Sequence, residues 1–217
     1  MASETTKKIA GLVLIGLAAM AFWDHVLLWP FKVLVVLFHE LGHALAALAT
    51  GGSVVSIELS PDQGGLTKSV GGLRFFILSA GYLGSLAFGV LWLFLGRTAR
   101  TARIGVRALA ALLVVTTLIW VRPVASFGFL FTMLASLVAI AVVRLASPAV
   151  SQWILRALGV FSVLYALWDI RDDVLSRSIA GSDASQLADL TFIPAPAWGI
   201  FWLGLGAGVL YALRKWI

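Results

Sequence analysis

The sequence predicts an all-α polytopic membrane protein, with six or seven transmembrane helices and one short membrane-associated β-hairpin. Of its 217 residues, 61% are hydrophobic and 12% are charged, and the mean hydropathy is +1.01. Soluble domains are about 45–50% apolar and about 25% charged. A soluble fold of this length could not bury so much apolar surface. We therefore expect the lipid bilayer to cover the rest, and a single transmembrane domain over residues 1–217.

Seven apolar segments approach the length of about 20 residues that a bilayer-spanning helix needs. The fourth is short. The first is too long for a cleaved signal peptide, and Asp24 and His25 lie where a cleavage site would need small residues. Pro30 separates the first two and suits the first turn of a helix. The segments are Ile9–Trp29, Phe31–Ala49, Leu73–Leu95, Ala108–Val121, Val124–Val143, Val150–Trp168 and Ala197–Leu213.

Three stretches interrupt the apolar pattern. In residues 51–72, apolar residues at 54, 57 and 59 predict a strand, a Pro-Asp-x-Gly-Gly turn follows, and residues 66–70 predict the returning strand. We expect this hairpin to lie against the membrane domain, because an isolated hairpin is only marginally stable in water. Residues 97–107 are read as a basic loop, and residues 171–196 as a polar segment with one short amphipathic helix.

Charge and cysteine content narrow the classes of partner. The net charge is +6, but Lys and Arg lie in the predicted loops and at helix ends, where they face lipid head groups, so no nucleic-acid partner is expected. They divide almost equally between the two predicted sides, which leaves the orientation unassigned. The chain has no cysteine, which excludes disulfides and thiolate metal ligands.

The second apolar segment contains the sequence HELGH at residues 39–43. His39 and His43 are four residues apart, so a helix places both on one face, about 6 Å apart along its axis. Two imidazoles in this arrangement can bind one Zn²⁺, and Glu40 can act as general base and acid on a water molecule. Ionisable residues within a membrane helix are costly to bury, so we interpret these three as a metal site rather than as packing residues.

A third metal ligand is expected, because a catalytic zinc usually has three protein ligands. His25 is the only other histidine, which makes a carboxylate the better choice. An alternative for Asp183 is helix capping together with Gln186, and turn chemistry alone accounts for Asp62. The candidates are Asp169, Asp172, Asp173 and Asp183, with Asp62 as an outsider.

Two other groups of residues are expected to support the helix that carries the histidines. Asp24 or His25 could hydrogen-bond a metal-binding histidine, or could join two helices. Small residues on the third apolar segment favour close packing against the helix that carries the histidines. They are Ala80, Gly81, Gly84 and Ser85.

Five segments together resemble the site-2-protease-like intramembrane zinc metallopeptidases, specifically their small branch. They are HELGHALAAL (39–48), PDQGGLTKSVGG (61–72), AGYLGS (80–85), YALWDIRDDVLS (165–176) and SDASQLADLTFIPAPAWG (182–199). The resemblance implies a zinc endopeptidase that cleaves a membrane-embedded or membrane-proximal protein or peptide. The chain lacks the Asp-Gly pair that carries the third ligand in larger members. The Ser-Asp-Ala element favours Asp183 as that ligand, with Asp169 as the alternative.

Two functions remain open from the sequence. In the first, zinc and Glu40 hydrolyse a peptide bond of a substrate that is held as an added strand along residues 53–60. In the second, the chain is a catalytically silent membrane metal-binding or scaffold protein of the same fold. The intact Glu40 favours the first, because metal binding alone does not need it. A transporter would be expected to contain inverted repeats, and the sequence does not clearly contain them. The sequence predicts neither the substrate nor the oligomeric state.

Overall fold

The computed structural model describes residues 11, 14, 16, 17, 21–171 and 181–213. A 3₁₀ turn, Val26–Leu28, leads into α1. The elements are α1 (Trp29–Ala49), β1 (Ser53–Leu59), β2 (Gly65–Val70), α2 (Arg74–Leu95), α3 (Ala99–Ile119), α4 (Phe127–Leu145), α5 (Pro148–Arg171), α6 (Asp183–Thr191) and α7 (Ala195–Leu213).

The predicted fold class is confirmed. Within the described residues, five helices, α1 to α5, are long and apolar enough to cross a membrane, and the pair α6 and α7, bent by 114°, gives a sixth if it counts as one span. The chain is therefore a multi-pass membrane protein. Eight of the 21 residues of the first predicted span, Ile9–Trp29, lie outside the described residues.

Helix α1 carries the two histidines and crosses α2 at very close range. Pro30 lies in its first turn, as the sequence predicts. A Cβ atom added to Gly42 would overlap the carbonyl of Ala80, and one added to Gly84 would overlap Gly42. The small-residue face of α2 therefore lets the two backbones approach each other, which confirms that expectation.

The hairpin lies against α1, as predicted. Strands β1 and β2 pair antiparallel from Ser53↔Val70 to Leu59↔Gly65, with an irregularity between Val54 and Ser56. Ile57 is fully buried. Its N–H donates to Trp120 O at 2.7 Å, and its carbonyl accepts from Arg122 N at 3.0 Å. The prediction that β1 offers a free edge to substrate is therefore wrong at Ile57, because residues 120–122 occupy that edge.

The basic segment is helical, and the prediction of a loop over residues 97–107 is wrong. Helix α3 begins at Ala99, where Thr98 and Thr101 form a reciprocal capping box. Arg has a high helix propensity, and its long side chain can keep the charge in a polar environment while the backbone enters the membrane. The fourth span is consequently a full 21 residues and not a short one.

Helix α5 runs antiparallel to α2 and places the second half of the site. Near one end, Arg156 donates to Gly96 O and Arg97 O, which caps the end of α2. Near the other end, a buried apolar cluster joins α2, α5, α6 and α7. Its members are Leu78, Tyr82, Ile170, Ala184, Leu187 and Trp202. This cluster holds α6 beside the middle of α1.

Candidate metal centre

Three side chains, two from α1 and one from α6, meet at the centre of the fold. His39 and His43 lie on one face of α1, as their spacing predicts. The Asp183 Oδ2 atom lies 2.9 Å from His39 Nε2 and 3.0 Å from His43 Nε2. One ligand atom from each residue lies within 4.8 Å of the others, so the group could hold a metal ion. Tetrahedral zinc with bonds of about 2.0–2.1 Å separates its ligand atoms by about 3.3 Å, which small side-chain rotations can reach here.

The hydrogen bond on the far side of His43 favours a cation at this point. His43 Nδ1 lies 2.7 Å from the carbonyl oxygen of Ile77, which can only accept, so Nδ1 carries a proton. In a neutral ring, Nε2 then directs a lone pair at the carboxylate oxygen of Asp183. Two electron pairs at this separation repel each other unless a proton or a metal ion lies between them. The donor set therefore fits a zinc ion.

Asp183 reaches the histidines because it is the first residue of α6 and not its cap. The cap is Ser182, whose hydroxyl accepts from Ser185 N. Gln186 donates to Gly181 O at 2.9 Å and accepts from Arg74 at 3.1 Å. The predicted alternative, Asp183 as the capping partner of Gln186, is therefore wrong. Its carboxylate is 14% exposed and faces α1.

Asp169, the alternative ligand, faces a different atom of His39. Its Oδ2 lies 3.5 Å from His39 Nδ1, on the opposite side of the ring from Asp183. It is therefore not part of the three-residue group. Asp172 and Asp173 lie outside the described residues.

Glu40 lies beside the candidate metal ligands, and a hydrogen bond from the hairpin holds its carboxylate. The Thr67 hydroxyl lies 2.7 Å from Glu40 Oε2 and 2.9 Å from Glu40 O. A Cβ atom added to Gly65 would overlap the Glu40 carboxylate, so any side chain there would displace that carboxylate. Glu40 is 4% exposed. A carboxylate in this position can take a proton from a water molecule at the metal.

Sequence reasoning missed four contacts at this centre. They are Thr67 on Glu40, the Ile77 carbonyl on His43, Gly81 against both imidazoles, and Tyr82 edge-on to His39 at 5.2 Å. Thr67 lies in the resemblance segment 61–72 and Gly81 and Tyr82 in 80–85, so those segments were the signal. The carbonyl of Ile77 leaves no signal in a sequence, since every residue has one.

The other acidic and histidine candidates have local roles. Asp62 accepts a hydrogen bond from the Ser60 hydroxyl in the hairpin turn, which lowers the pKa of its carboxyl group, as turn chemistry predicts. His25 Nδ1 accepts from Leu27 N, and Asp24 lies 3.8 Å from Lys32. The suggestion that Asp24 or His25 hydrogen-bonds a metal-binding histidine is therefore wrong, because their contacts lie elsewhere.

Comparison with known proteins agrees with this geometry. No curated protein and no solved structure matches the chain. The family model for "Peptidase M50B-like" matches residues 12–213, which is most of the chain, and confirms the metallopeptidase resemblance. This family implies a zinc peptidase and a protein substrate. The chain belongs to the Peptidase M50B-like family.

Proposed function

We propose that this protein is an intramembrane zinc endopeptidase, with His39, His43 and Asp183 as the metal ligands and Glu40 as general base and acid. The observation that carries the proposal is the convergence of two imidazole nitrogens and one carboxylate oxygen beside a buried glutamate. All four groups lie within helices of a membrane protein, where uncompensated charge is costly.

The residues have separate tasks in hydrolysis. A zinc ion in this site would polarise the scissile carbonyl and make water a better nucleophile at neutral pH. Glu40 takes a proton from the water whose oxygen attacks the carbonyl carbon. When the C–N bond breaks, Glu40 passes that proton to the leaving amine. Thr67 fixes the Glu40 carboxylate by hydrogen bonding throughout.

A helical substrate must become extended before its peptide bond can be attacked, and the edge of β2 is the better place to hold it. The N–H and carbonyl of Ile57 point away from β2, towards residues 120 and 122. In an antiparallel pair, its partner Thr67 then directs its own N–H and carbonyl away from β1. Those two groups have no backbone partner within the described parts of the chain. Strand addition there would place a substrate next to Glu40.

The main test compares new protein ends in membranes that contain wild type, Glu40→Gln or Glu58→Gln. Glu58 pairs with Lys68 on the hairpin surface and serves as the matched control. Labelling of new N-termini should show cleavage within or near apolar segments with wild type and with Glu58→Gln, but none with Glu40→Gln. Zinc content should be equal in all three. Equal cleavage by Glu40→Gln, or no cleavage by zinc-loaded wild type, would favour the silent metal-binding alternative.

The strand-addition step has its own test on a peptide that the protein cleaves. Each backbone amide of the peptide is methylated in turn, which removes one hydrogen-bond donor at a time. Substrate pairing with β2 predicts that turnover falls at every second position, because alternate residues of a strand face the partner. Uniform sensitivity, or none, would remove strand addition and leave the metal chemistry unaffected.

A further inference from the structure

The two imidazoles of the metal centre are held differently on their far sides. His43 Nδ1 is fixed by the Ile77 carbonyl at 2.7 Å. His39 Nδ1 is buried and makes no hydrogen bond within the described part of the chain. The carboxylate oxygen Oδ2 of Asp169 lies 3.5 Å from it. We propose that Asp169 is a positioning residue, which accepts the Nδ1 proton of His39 and so directs the Nε2 lone pair to the metal.

Ring chemistry excludes a shared role for Asp169 and Asp183. The two nitrogens of an imidazole point in widely different directions, and a metal binds on one of them. Asp183 lies at Nε2 of both histidines, whereas Asp169 lies at Nδ1 of His39. A metal held by the two Nε2 atoms therefore has Asp183 as its ligand. Asp169 acts through the ring of His39, in the way that outer carboxylates orient metal-binding histidines.

The position of Asp169 in the fold supports this role. It lies near the end of α5, between Ala166 and Ile170, which are both buried, and its own side chain is 30% exposed. Tyr82 packs edge-on against His39 and restricts the tilt of the ring. Shortening the 3.5 Å contact by about 0.6 Å would give an ordinary hydrogen bond. A small movement of the Asp169 carboxylate is therefore enough to form this hydrogen bond, which keeps the proton on Nδ1 of His39 and leaves the lone pair on Nε2.

This inference rests on the proposed metal site, and the test separates the two. Zinc affinity is measured by competition with a chelator in detergent for wild type, Asp169→Asn, Asp169→Leu and Asp183→Ala. The control is Asp189→Leu, a change at an exposed position of α6. The cobalt-loaded forms give absorption spectra that report the number of ligands, and thermal unfolding shows whether each variant is folded.

We expect Asp169→Leu to bind zinc about 10–100-fold more weakly than wild type, with an unchanged cobalt spectrum, because no ligand is lost. Asp169→Asn should recover most of the affinity, since its amide oxygen still accepts from Nδ1. Asp183→Ala should alter the cobalt spectrum.

Wild-type affinity in Asp169→Leu would overturn the positioning role alone. A cobalt spectrum altered in Asp169→Asn as in Asp183→Ala would make Asp169 a ligand. A folded wild type that binds no zinc would contradict the proposed metal site, and the positioning role of Asp169 with it.

Discussion

At the scale of single residues, the hydrogen bond from Thr67 to Glu40 is the contact that favours the proposed general-base role of Glu40 over that of a merely buried carboxylate. Its hydroxyl is within hydrogen-bonding distance of Glu40 Oε2 and Glu40 O, and it comes from the hairpin rather than from α1. Metal binding alone gains nothing from this contact. It fixes the carboxylate in one orientation, which is what proton transfer in a transition state requires.

Thr67→Val should therefore lower kcat about tenfold or more while zinc content stays near that of wild type, because valine keeps the shape and removes the donor. Turnover of a cleaved peptide and zinc per chain are measured on the same preparations. Thr67→Ser restores the hydroxyl and should restore most of the rate. A Val variant with full turnover would show that Glu40 needs no support from the hairpin.

Gly81 sets the space around the imidazoles. A Cβ atom there would overlap His39 Nε2 and lie 2.7 Å from His43 Cε1, so both rings would have to move. Gly81→Ala should lose most of its zinc, as measured by metal analysis after purification. Gly204→Ala is the control, because a Cβ atom added there meets nothing within 4 Å. Normal zinc content in Gly81→Ala would mean that the histidines bind metal in another rotamer.

Local spacing was sufficient to predict that His39 and His43 lie on one face of a helix with Glu40 beside them, because helix geometry is known in advance. It was not sufficient to choose between Asp169 and Asp183. Each lies more than 120 residues from the histidines, and both reach His39. Only the packing of α5 and α6 decides which nitrogen each one faces. Resemblance favours Asp183 as the third ligand, and in the structure its carboxylate lies beside Nε2 of both histidines.

At the scale of the elements, the short helix α6 carries Asp183, and the side chain of Gln186 hydrogen-bonds this helix to neighbouring residues. Its side chain donates to Gly181 O and accepts from Arg74 of α2. Arg74 lies in the first turn of α2, close to the end of the hairpin. The position of Asp183 thus depends on contacts with a different helix as well as on its own capping residue.

Gln186→Ala should weaken zinc binding about fivefold, which corresponds to about 1 kcal/mol for a lost hydrogen bond. Gln152→Ala is the matched control, because Gln152 also donates to a backbone carbonyl, that of Arg97, at the end of α2 far from the metal centre. Affinities for zinc are compared by chelator competition. An equal effect of both substitutions would indicate that losing either hydrogen bond destabilises the whole fold, and that Gln186 has no special part in positioning Asp183.

The hairpin and α3 show what alternation and composition can and cannot predict. The strands and the turn followed from alternating apolar residues and turn chemistry. The contact of Ile57 with residues 120–122 could not be predicted, because it depends on the fold bringing the end of α3 to β1. The prediction of a loop at the basic start of α3 is wrong because charge alone does not exclude a helix, and the Thr98 capping box and the long arginine side chains permit one.

At the scale of the whole molecule, α4 is the least buried of the five long helices. Its buried residues are small or polar, namely Gly128, Thr132, Ser136 and Ala139, and they form the face that meets α3 and β1. Leu130, Leu134, Leu137 and Val138 are exposed. The apolar face of this span therefore points outwards, as expected where lipid replaces water.

The absence of cysteine allows a direct test of this arrangement with single spin labels. Labels at Leu134→Cys and Leu137→Cys, in protein reconstituted in lipid, should collide readily with oxygen dissolved in the bilayer. A label at Ser136→Cys, which replaces a side chain that is 2% exposed, should be protected. Equal oxygen accessibility at all three positions would contradict the packing of α4 in this fold.

Composition predicted a membrane protein and the approximate number of spans, because lipid exposure depends on summed apolar area. It did not predict which helices touch. The crossing of α1 and α2 has a sequence signal in the small residues of α2, Gly84 among them, but Gly42 on α1 was not predicted as a packing residue. The bend of 114° between α6 and α7, which brings Asp183 to the histidines, has no comparable signal in the sequence.

The most direct test of the central claim is zinc content combined with X-ray absorption spectroscopy of the purified protein. Wild type should contain about one zinc per chain, with only nitrogen and oxygen ligands at about 2.0–2.1 Å and the signature of two imidazoles. Sulfur ligands from cysteine are impossible, since the chain has none. Asp183→Asn should lose zinc or lose one oxygen ligand. A folded wild type that stays zinc-free after loading, or a spectrum that is unchanged when His39 and His43 are both replaced by alanine, would contradict the account.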